Sequence, residues 1–184
     1  PAFFYEHFLD LWRSCSDAKP NKAHYALAQM EKSGYIKGVI TQNIDNLHRL
    51  AGSKNVWEIH GHMRTGSCLK CNESYDFAQV MSSVEQGINP PICDSCDGVI
   101  RPSVVLFEDI MSQDFFDART ELINSDLLIA IGSSLRVQPA ASLPSQAKHV
   151  AVINKQPTPW DRKSVVVIND SIGDTLEALM KHLQ

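Results

Sequence analysis

The 184-residue sequence holds no run of about 18 apolar residues, the length that a bilayer-spanning helix needs. Its first twenty residues also lack the basic, apolar and small-residue succession of a secretory leader. Both absences predict a cytoplasmic protein. An excess of positive charge is missing too: 17 Lys and Arg stand against 21 Asp and Glu, a formal net charge of -4. That balance disfavours a general electrostatic grip on nucleic acid or an anionic membrane, because such binding depends on basic side chains neutralising phosphates. Internal repeats and low-complexity tracts are lacking. Cysteine is scarce, but four of the 5 copies form two C-x-x-C pairs. This pattern suits metal binding in a reducing compartment better than a secreted disulfide framework. The remaining one, Cys15, reads as a small core residue.

What is present is ordinary for a folded protein: 43% hydrophobic and 21% charged residues, in a length that fits one domain with room for an inserted module. The chain opens at Pro1 directly into Phe3, Phe4, Phe8, Leu11 and Trp12, a helix-like run that reads as an internal start. Asn21 is placed to cap a second helix, whose apolar positions Ala23, Leu27 and Met30 precede Gly34 at the expected C-terminal turn. Short apolar runs of strand length follow at Gly38–Ile40, Val104–Leu106, Leu127–Ile131, Val150–Ile153 and Val165–Ile168. Helix candidates lie between or after them: Gln113–Ile123 capped by Ser112, Pro139–Lys148 interrupted by Pro144, and Thr175–Leu183. Such alternation predicts an α/β fold, a Rossmann-like, doubly wound and mostly parallel sheet. Ligands are then expected beyond the carboxyl ends of the strands. The stretch from Gly61 to Ile100 breaks the alternation and reads as an insertion, which divides the chain into a main domain over 1–60 and 101–184 and a small module over 61–100.

Cys68 and Cys71 are separated from Cys93 and Cys96 by the 21 residues 72–92. Each C-x-x-C turn aims two thiolates at one point, and two turns complete the tetrahedron that zinc accepts. Four thiolates leave no position for water, so one structural zinc ion is expected rather than a catalytic one. A redox C-x-x-C would need a helix N-terminus to acidify one thiol, and neither pair is followed by a convincing helix.

Polar residues crowd three strand ends. Thr41-Gln-Asn-Ile-Asp-Asn-Leu-His48 leaves the Val39-Ile40 strand and leads through Ala51-Gly-Ser53 to Glu58-Ile-His-Gly61; Gly132-Ser133-Ser134 follows Ile131; Asn154 follows Ile153. Taken alone, the first group would serve as turn-formers, and a lone Gly-Ser-Ser is weak evidence of a phosphate cradle. In combination they are specific. The run TQNIDNLHRLAGS, then EIHG, the two C-x-x-C pairs, IRPSVVLF, IGSSLRVQPAASLP and VINK resembles the sirtuins, NAD-dependent protein lysine deacylases, in order and spacing from Pro20 onward.

The resemblance implies NAD as cosubstrate, zinc as scaffold and acylated-lysine proteins or peptides as partners, with no membrane or nucleic-acid partner. The acyl group would pass to ADP-ribose, with nicotinamide released. His60 matches the general base, a role that suits an imidazole because this group titrates near neutrality. Asn43 and Asp45 match further residues required for catalysis. Gln42, Asn43, Ile44 and Asp45 match the nicotinamide and ribose pocket, Gly132, Ser133 and Ser134 the NAD-contacting loop, Asn154 and Lys155 the adenosine ribose contacts, and Ile172 the adenine side. Val105, Leu106, Phe107 and Glu108 match the segment beside which the peptide adds as a strand. His48 reads as an organiser of its loop, and His24 and His62 carry no role in catalysis.

Two departures stand out. After Phe107 the family pattern has Gly then Glu, whereas this sequence has Glu108 and Asp109. A glutamate side chain there would narrow the peptide's approach or select basic residues beside the target lysine. The family's N-terminal Gly-Ala-Gly phosphate loop and first strand have no counterpart in these residues, so the chain by itself is expected to bind NAD weakly and to be nearly inactive. Two rival readings remain: a non-catalytic zinc-ribbon module, which leaves His60 and the Gly132 loop unexplained, and mono-ADP-ribosyl transfer, which would share the NAD site.

Overall fold

The structure is a computed structural model and describes residues 1–183. In chain order its elements are α1 (Ala2–Asp17), α2 (Lys22–Lys32), β1 (Val39–Thr41), α3 (Leu47–Leu50), β2 (Val56–Glu58), β3 (Gly61–Cys68), β4 (Ser74–Asp76) and α4 (Phe77–Glu85). These are followed by β5 (Ile100–Val104), α5 (Gln113–Ile123), β6 (Leu127–Ile131), β7 (His149–Ile153), β8 (Val166–Ile168) and α6 (Ile172–Leu183). Two compact units result. The first takes in Pro1–Lys19, Asn43–Leu47 and His60–Ile110, a wider stretch than the Gly61–Ile100 insertion; the second takes in Pro20–Gln42, His48–Ile59 and the chain from Met111 onward.

The first unit is built on an antiparallel sheet of order β4-β3-β5. Its core joins Tyr5 and Phe8 of α1 to Phe77, Val80, Met81 and Val84 of α4. Phe77 meets Phe8 and Trp12 edge-on, at centroid distances of 5.9 and 5.6 Å, the arrangement aromatic quadrupoles prefer. Tyr5 is 1% exposed and donates its hydroxyl to the Ile100 carbonyl at 2.6 Å; burial raises its phenol further above the usual range. The helix α4 escaped the sequence reading, which saw only a polar insertion. Its signals were present: Asp76 accepts from the Ala78 and Gln79 amides, and Phe77, Val80, Met81 and Val84 repeat at helical spacing.

The second unit carries the parallel strands, in two separate sheets: β1 with β2, and β6-β7-β8. Helices cover both faces. Val39, Ile129, Ile131 and Ile153 share a core with α2 and α6, while the alternate residues Ile40 and Leu128 share another with α5 and the turn of 3-10 helix at Ala140–Gln146. β1 and β6 therefore lie between the same helical layers, yet each has only one hydrogen-bonded neighbour among the described residues. Asn21 caps α2 as expected, its side chain accepting from Ala23 and His24 amides while the His24 ring accepts from the Asn21 amide.

Four expectations need correction. The strand expected at Val104–Leu106 runs instead from Ile100 to Val104, because Leu106 starts a turn stapled by Asp109. The helix expected over Pro139–Lys148 is a 3-10 segment containing the buried Pro144, which has no amide to donate to an α-helical ladder. Finally, α6 starts at Ile172, three residues before Thr175, and Ser112 does not cap α5 with its side chain.

Candidate metal centre and strand-end ligand site

The four cysteines converge. Their Sγ atoms all lie within 4.8 Å of one another, with Cys68 to Cys96 at 3.5 Å and Cys71 to Cys93 at 3.6 Å. A tetrahedral zinc with bonds of about 2.3 Å places its thiolates roughly 3.8 Å apart, so the set fits a single zinc ion. Each C-x-x-C ends in a matching knuckle: Asn72 and Asp97 adopt φ of 60° and 58°, and their amides donate to the Cys68 and Cys93 carbonyls, both at 3.0 Å. The Lys70 amide points at Cys68 Sγ at 3.3 Å, and the Tyr75 hydroxyl donates to Cys93 Sγ at 3.1 Å. Gly98 leaves room for the cluster, since a Cβ there would stand 2.6 Å from Cys68 Sγ. Cys68 and Cys93 are fully buried, and four sulfurs close the shell, so the ion would hold structure and activate no water.

In the second unit, the residues singled out by sequence gather at the carboxyl ends of the parallel strands. Gln42, one residue past β1, donates its side-chain amide to Ser133 Oγ at 3.2 Å. Gly132, one residue past β6, adopts φ +62°, and a Cβ on it would stand 2.8 Å from Cδ1 of Ile172 at the start of α6. Ser133 Oγ also accepts from the Leu135 amide at 3.2 Å, which sets the turn, and Ser134 is exposed. Past β7, the Asn154 side chain donates to the Gln156 carbonyl at 2.7 Å, and exposed Lys155 carries its charge close enough to Asp174 to help lower that carboxyl's pKa, after the larger effects of Lys22 and Ser171. A parallel α/β sheet offers its ligand site at such strand ends. An open groove of about 530 Å³ lies at the ends of β7 and β8 beside α6, lined by Ile153, Ile168, Asp170, Asp174, Leu179 and His182. None of the expected NAD contacts lines it, and its two carboxylates would repel a pyrophosphate.

The rest of the motif belongs to the first unit. Asn43 is exposed, Ile44 packs into the α1–α4 core, and the Asp45 carboxylate accepts from the Leu47 amide at 2.9 Å. Asn46, at φ +64°, accepts from Arg64 at 2.9 Å. His60 is half-buried, and its carbonyl accepts from the Val105 amide at 2.9 Å. This bond ties the candidate base to the segment expected to meet the peptide. Gly61 follows at φ +75° in close contact with Ser103. Beyond Val105, Leu106 and Phe107 are exposed and Glu108 stands at φ +72°.

Sequence reasoning missed the residues that fix the backbone just before His60. Ser112 Oγ donates to the Glu58 and Ile59 carbonyls at 3.2 and 2.9 Å, and Asp114 accepts from the Glu58 amide at 2.7 Å. The buried Glu58 carboxylate pairs with Arg49 at 3.4 Å. Ser112 had been legible only as a helix cap; nothing local distinguishes a cap from a hydroxyl serving a strand 54 residues away.

Fold and cysteine geometry together define an α/β protein with four thiols positioned for a single zinc ion and polar residues gathered at the ends of its parallel strands. The model of the Sir2 family matches residues 1–139, and the chain belongs to that family. It is 49% identical over 176 residues to NAD-dependent protein deacetylase 2 of Caldanaerobacter subterraneus subsp. tengcongensis, covering 96% of this chain and 70% of that protein. It is 44% identical over 191 residues to the NAD-dependent protein deacetylase of Clostridium tetani, covering 99% and 76%. Among solved structures, a Sir2 with p53 peptide and NAD+ superposes with a TM-score of 0.89 at 35% identity, over 98% of this chain and 80% of the other. A Sir2 complex with the inhibitor EX-527, 2'-O-acetyl-ADP-ribose and deacetylated p53 peptide gives 0.87 at 35%, over 98% and 82%.

Proposed function

We propose that this chain is an NAD-dependent protein lysine deacetylase, which moves the acetyl group of an acetyl-lysine side chain onto ADP-ribose, consumes one water, and releases nicotinamide and free lysine. The observation that carries the reading is the gathering of Gln42, Gly132, Ser133 and Ile172 at the carboxyl ends of β1 and β6 and the start of α6. In this reading the second unit is the NAD-binding domain, and the first is the zinc-binding module, whose ion is scaffold. The turn at Gly132 brings backbone amides and the Ser133 and Ser134 hydroxyls to the pyrophosphate side, and Asn154 and Lys155 serve the adenosine ribose, with Ile172 beside the base. When bound, NAD supplies the ribose carbon that becomes electrophilic as nicotinamide leaves.

The chain's own residues then do four things. Gln42 and Asn43 orient the nicotinamide end, and Asp45 holds the turn between them and α3 through the Leu47 amide. His60 removes a proton from a ribose hydroxyl. Val105 to Glu108 meet the peptide as a turn, not as a strand, since the Val105 amide and the Leu106 amide and carbonyl are already bonded to His60 and Asp109. Four cysteines arranged for one metal ion, in place of disulfide pairs, support the reading of a cytoplasmic location; no helix is long and apolar enough to cross a membrane among the described residues.

The test is incubation of the chain, joined to the family's N-terminal phosphate-loop segment, with NAD and an acetyl-lysine peptide, with products weighed by mass spectrometry. The expected products are nicotinamide, deacetylated peptide and acetyl-ADP-ribose in equal amounts, with His60→Ala slower by about 10²- to 10⁴-fold, the usual contribution of a general base. Peptide that keeps its acetyl group and gains ADP-ribose would instead establish mono-ADP-ribosyl transfer.

A further inference from the structure

The segment after β5 is a tight turn with an unusual occupant. The Asp109 amide donates to the Leu106 carbonyl at 3.1 Å, which closes a four-residue turn over Leu106, Phe107, Glu108 and Asp109. Only its third residue, Glu108, has positive φ, at +72°. This is the type II geometry, whose third position ordinarily belongs to glycine because a side chain is strained there. Glu108 is thus held in a conformation that a glutamate rarely adopts, and strain of this kind tends to persist at functional sites.

The turn is stapled from below. The Asp109 carboxylate accepts from the Leu106 amide at 2.9 Å and from both terminal nitrogens of Arg101, whose Nη2 also donates to the Val104 carbonyl at 2.9 Å. Arg101, and then the Leu106 amide, hold the Asp109 carboxyl below its usual range, so it stays ionised and paired. Glu108 is different: it is exposed and makes no hydrogen bond or ion pair among the described residues. Its neighbours Phe107 and Ile110 are 98% and 87% exposed. The turn therefore displays one uncompensated carboxylate between two bare apolar side chains. It does so three residues from Val105, whose amide is bonded to the His60 carbonyl.

We propose that Glu108 is a specificity-determining residue that selects acyl-lysine peptides bearing Lys or Arg beside the modified lysine, with Phe107 and Ile110 covering the apolar part of the same side chains. The proposal rests on the reading of Val105–Glu108 as the peptide-contacting segment. A cation at the turn gains a partner that is already ordered, whereas an acidic flank meets like charge.

Fluorescence anisotropy with acetyl-lysine peptides that differ only in one flanking residue, Arg, Gln or Glu, tests this on the full chain and needs no turnover. The Arg-flanked peptide should bind about fivefold tighter than the Glu-flanked one, the upper scale of one exposed ion pair. The ratio should shrink toward one in Glu108→Gln, invert in Glu108→Lys, and fall in the wild type as salt is raised. An equal ratio in wild type and Glu108→Gln overturns the proposal, as does a wild-type ratio of one. Equally tight binding of the unacetylated Arg-flanked peptide overturns it as well, by reducing the effect to general attraction of basic peptides. If no acetyl-lysine peptide binds whatever its flank, the peptide-contacting reading itself fails, an outcome distinct from binding without charge preference.

Discussion

Gly61→Ala should be among the most damaging single-methyl additions in the first unit, for reasons that can be worked out atom by atom. Gly61 opens β3 opposite Val104 of β5 and adopts φ +75°. A Cβ there would stand 2.1 Å from the Ser103 carbonyl oxygen and 3.1 Å from both Ser103 C and Val104 Cα. Every one of these neighbours is backbone, so no rotamer change relieves the overlap, and β5 must retreat by about 1 Å to reach an ordinary contact. The left-handed conformation alone costs an alanine about 1 kcal/mol. Loss of the Val105-to-His60 hydrogen bond, 2.9 Å long, adds about 1–3 kcal/mol if its groups are left unpaired. A total near 3 kcal/mol corresponds to a fall in Tm of about 6–12 °C for a chain of this size. Gly87→Ala is the matched control in the same unit: its φ is +95° but nothing lies within 4 Å of its Cβ, so only the conformational cost applies, about 2–4 °C. Thermal unfolding followed by far-UV circular dichroism with zinc in excess measures both. Equal shifts for the two variants would refute the close-approach reasoning.

Two further outcomes follow from the metal centre and the turn. Metal analysis should find one zinc per chain, lost in Cys96→Ser; Gly98→Ala should retain zinc less well in a chelator competition, because its Cβ would press on Cys68 Sγ at 2.6 Å. A catalytic role for the ion would be indicated instead if cobalt substitution altered the chemical step while leaving stability unchanged. Asp109 titrates below its ordinary value because Arg101, and then the Leu106 amide, bind its ionised form. Its stabilising contribution is therefore complete above the unfolded value of about 3.9 and is lost as pH falls through the lower folded value. Asp109→Asn should flatten that acid limb of a stability-against-pH curve, and an unchanged limb would show that the Arg101 staple contributes nothing to folding.

The readable parts of this protein were those whose physics is local. Two C-x-x-C turns specify their metal within four residues each, and the parallel strands announce themselves as apolar runs such as Leu127–Ile131 and Val150–Ile153. The C-terminal turn of β6 was legible for the same reason, since Gly132 had to follow an apolar run. What escaped was relational. The amphipathic pattern of α1 gave a helix, but nothing in it said that Tyr5, Phe8 and Trp12 would find Phe77 in the zinc-bearing unit. Ser112 had the right chemistry and position to cap α5, and its hydroxyl was taken by the Glu58 and Ile59 carbonyls instead. The strand expected at Val104–Leu106 slid upstream because Arg101 and Asp109, eight residues apart, close the turn that ends it.

Long-range bonds also fix the chain where it leaves the short strand before His60, the proposed base. β2 has three residues, too few for ladder bonds alone to set the direction of the chain beyond it. Around its end, however, the polar backbone groups are claimed: the Glu58 amide by Asp114, the Glu58 and Ile59 carbonyls by Ser112, and the Ile59 amide by the Thr41 carbonyl at 3.1 Å. Glu58 itself is buried, 3% exposed, and its carboxylate pairs with Arg49. The next residue is His60, whose carbonyl is taken by the Val105 amide. With these groups bonded, the chain leaves β2 in a narrow range of directions, which suits the proposal that His60 is the general base, because proton transfer demands a fixed heavy-atom distance. On that proposal Ser112, Asp114 and Thr41 contribute by holding the backbone of Glu58 and Ile59, and carry none of the chemistry themselves.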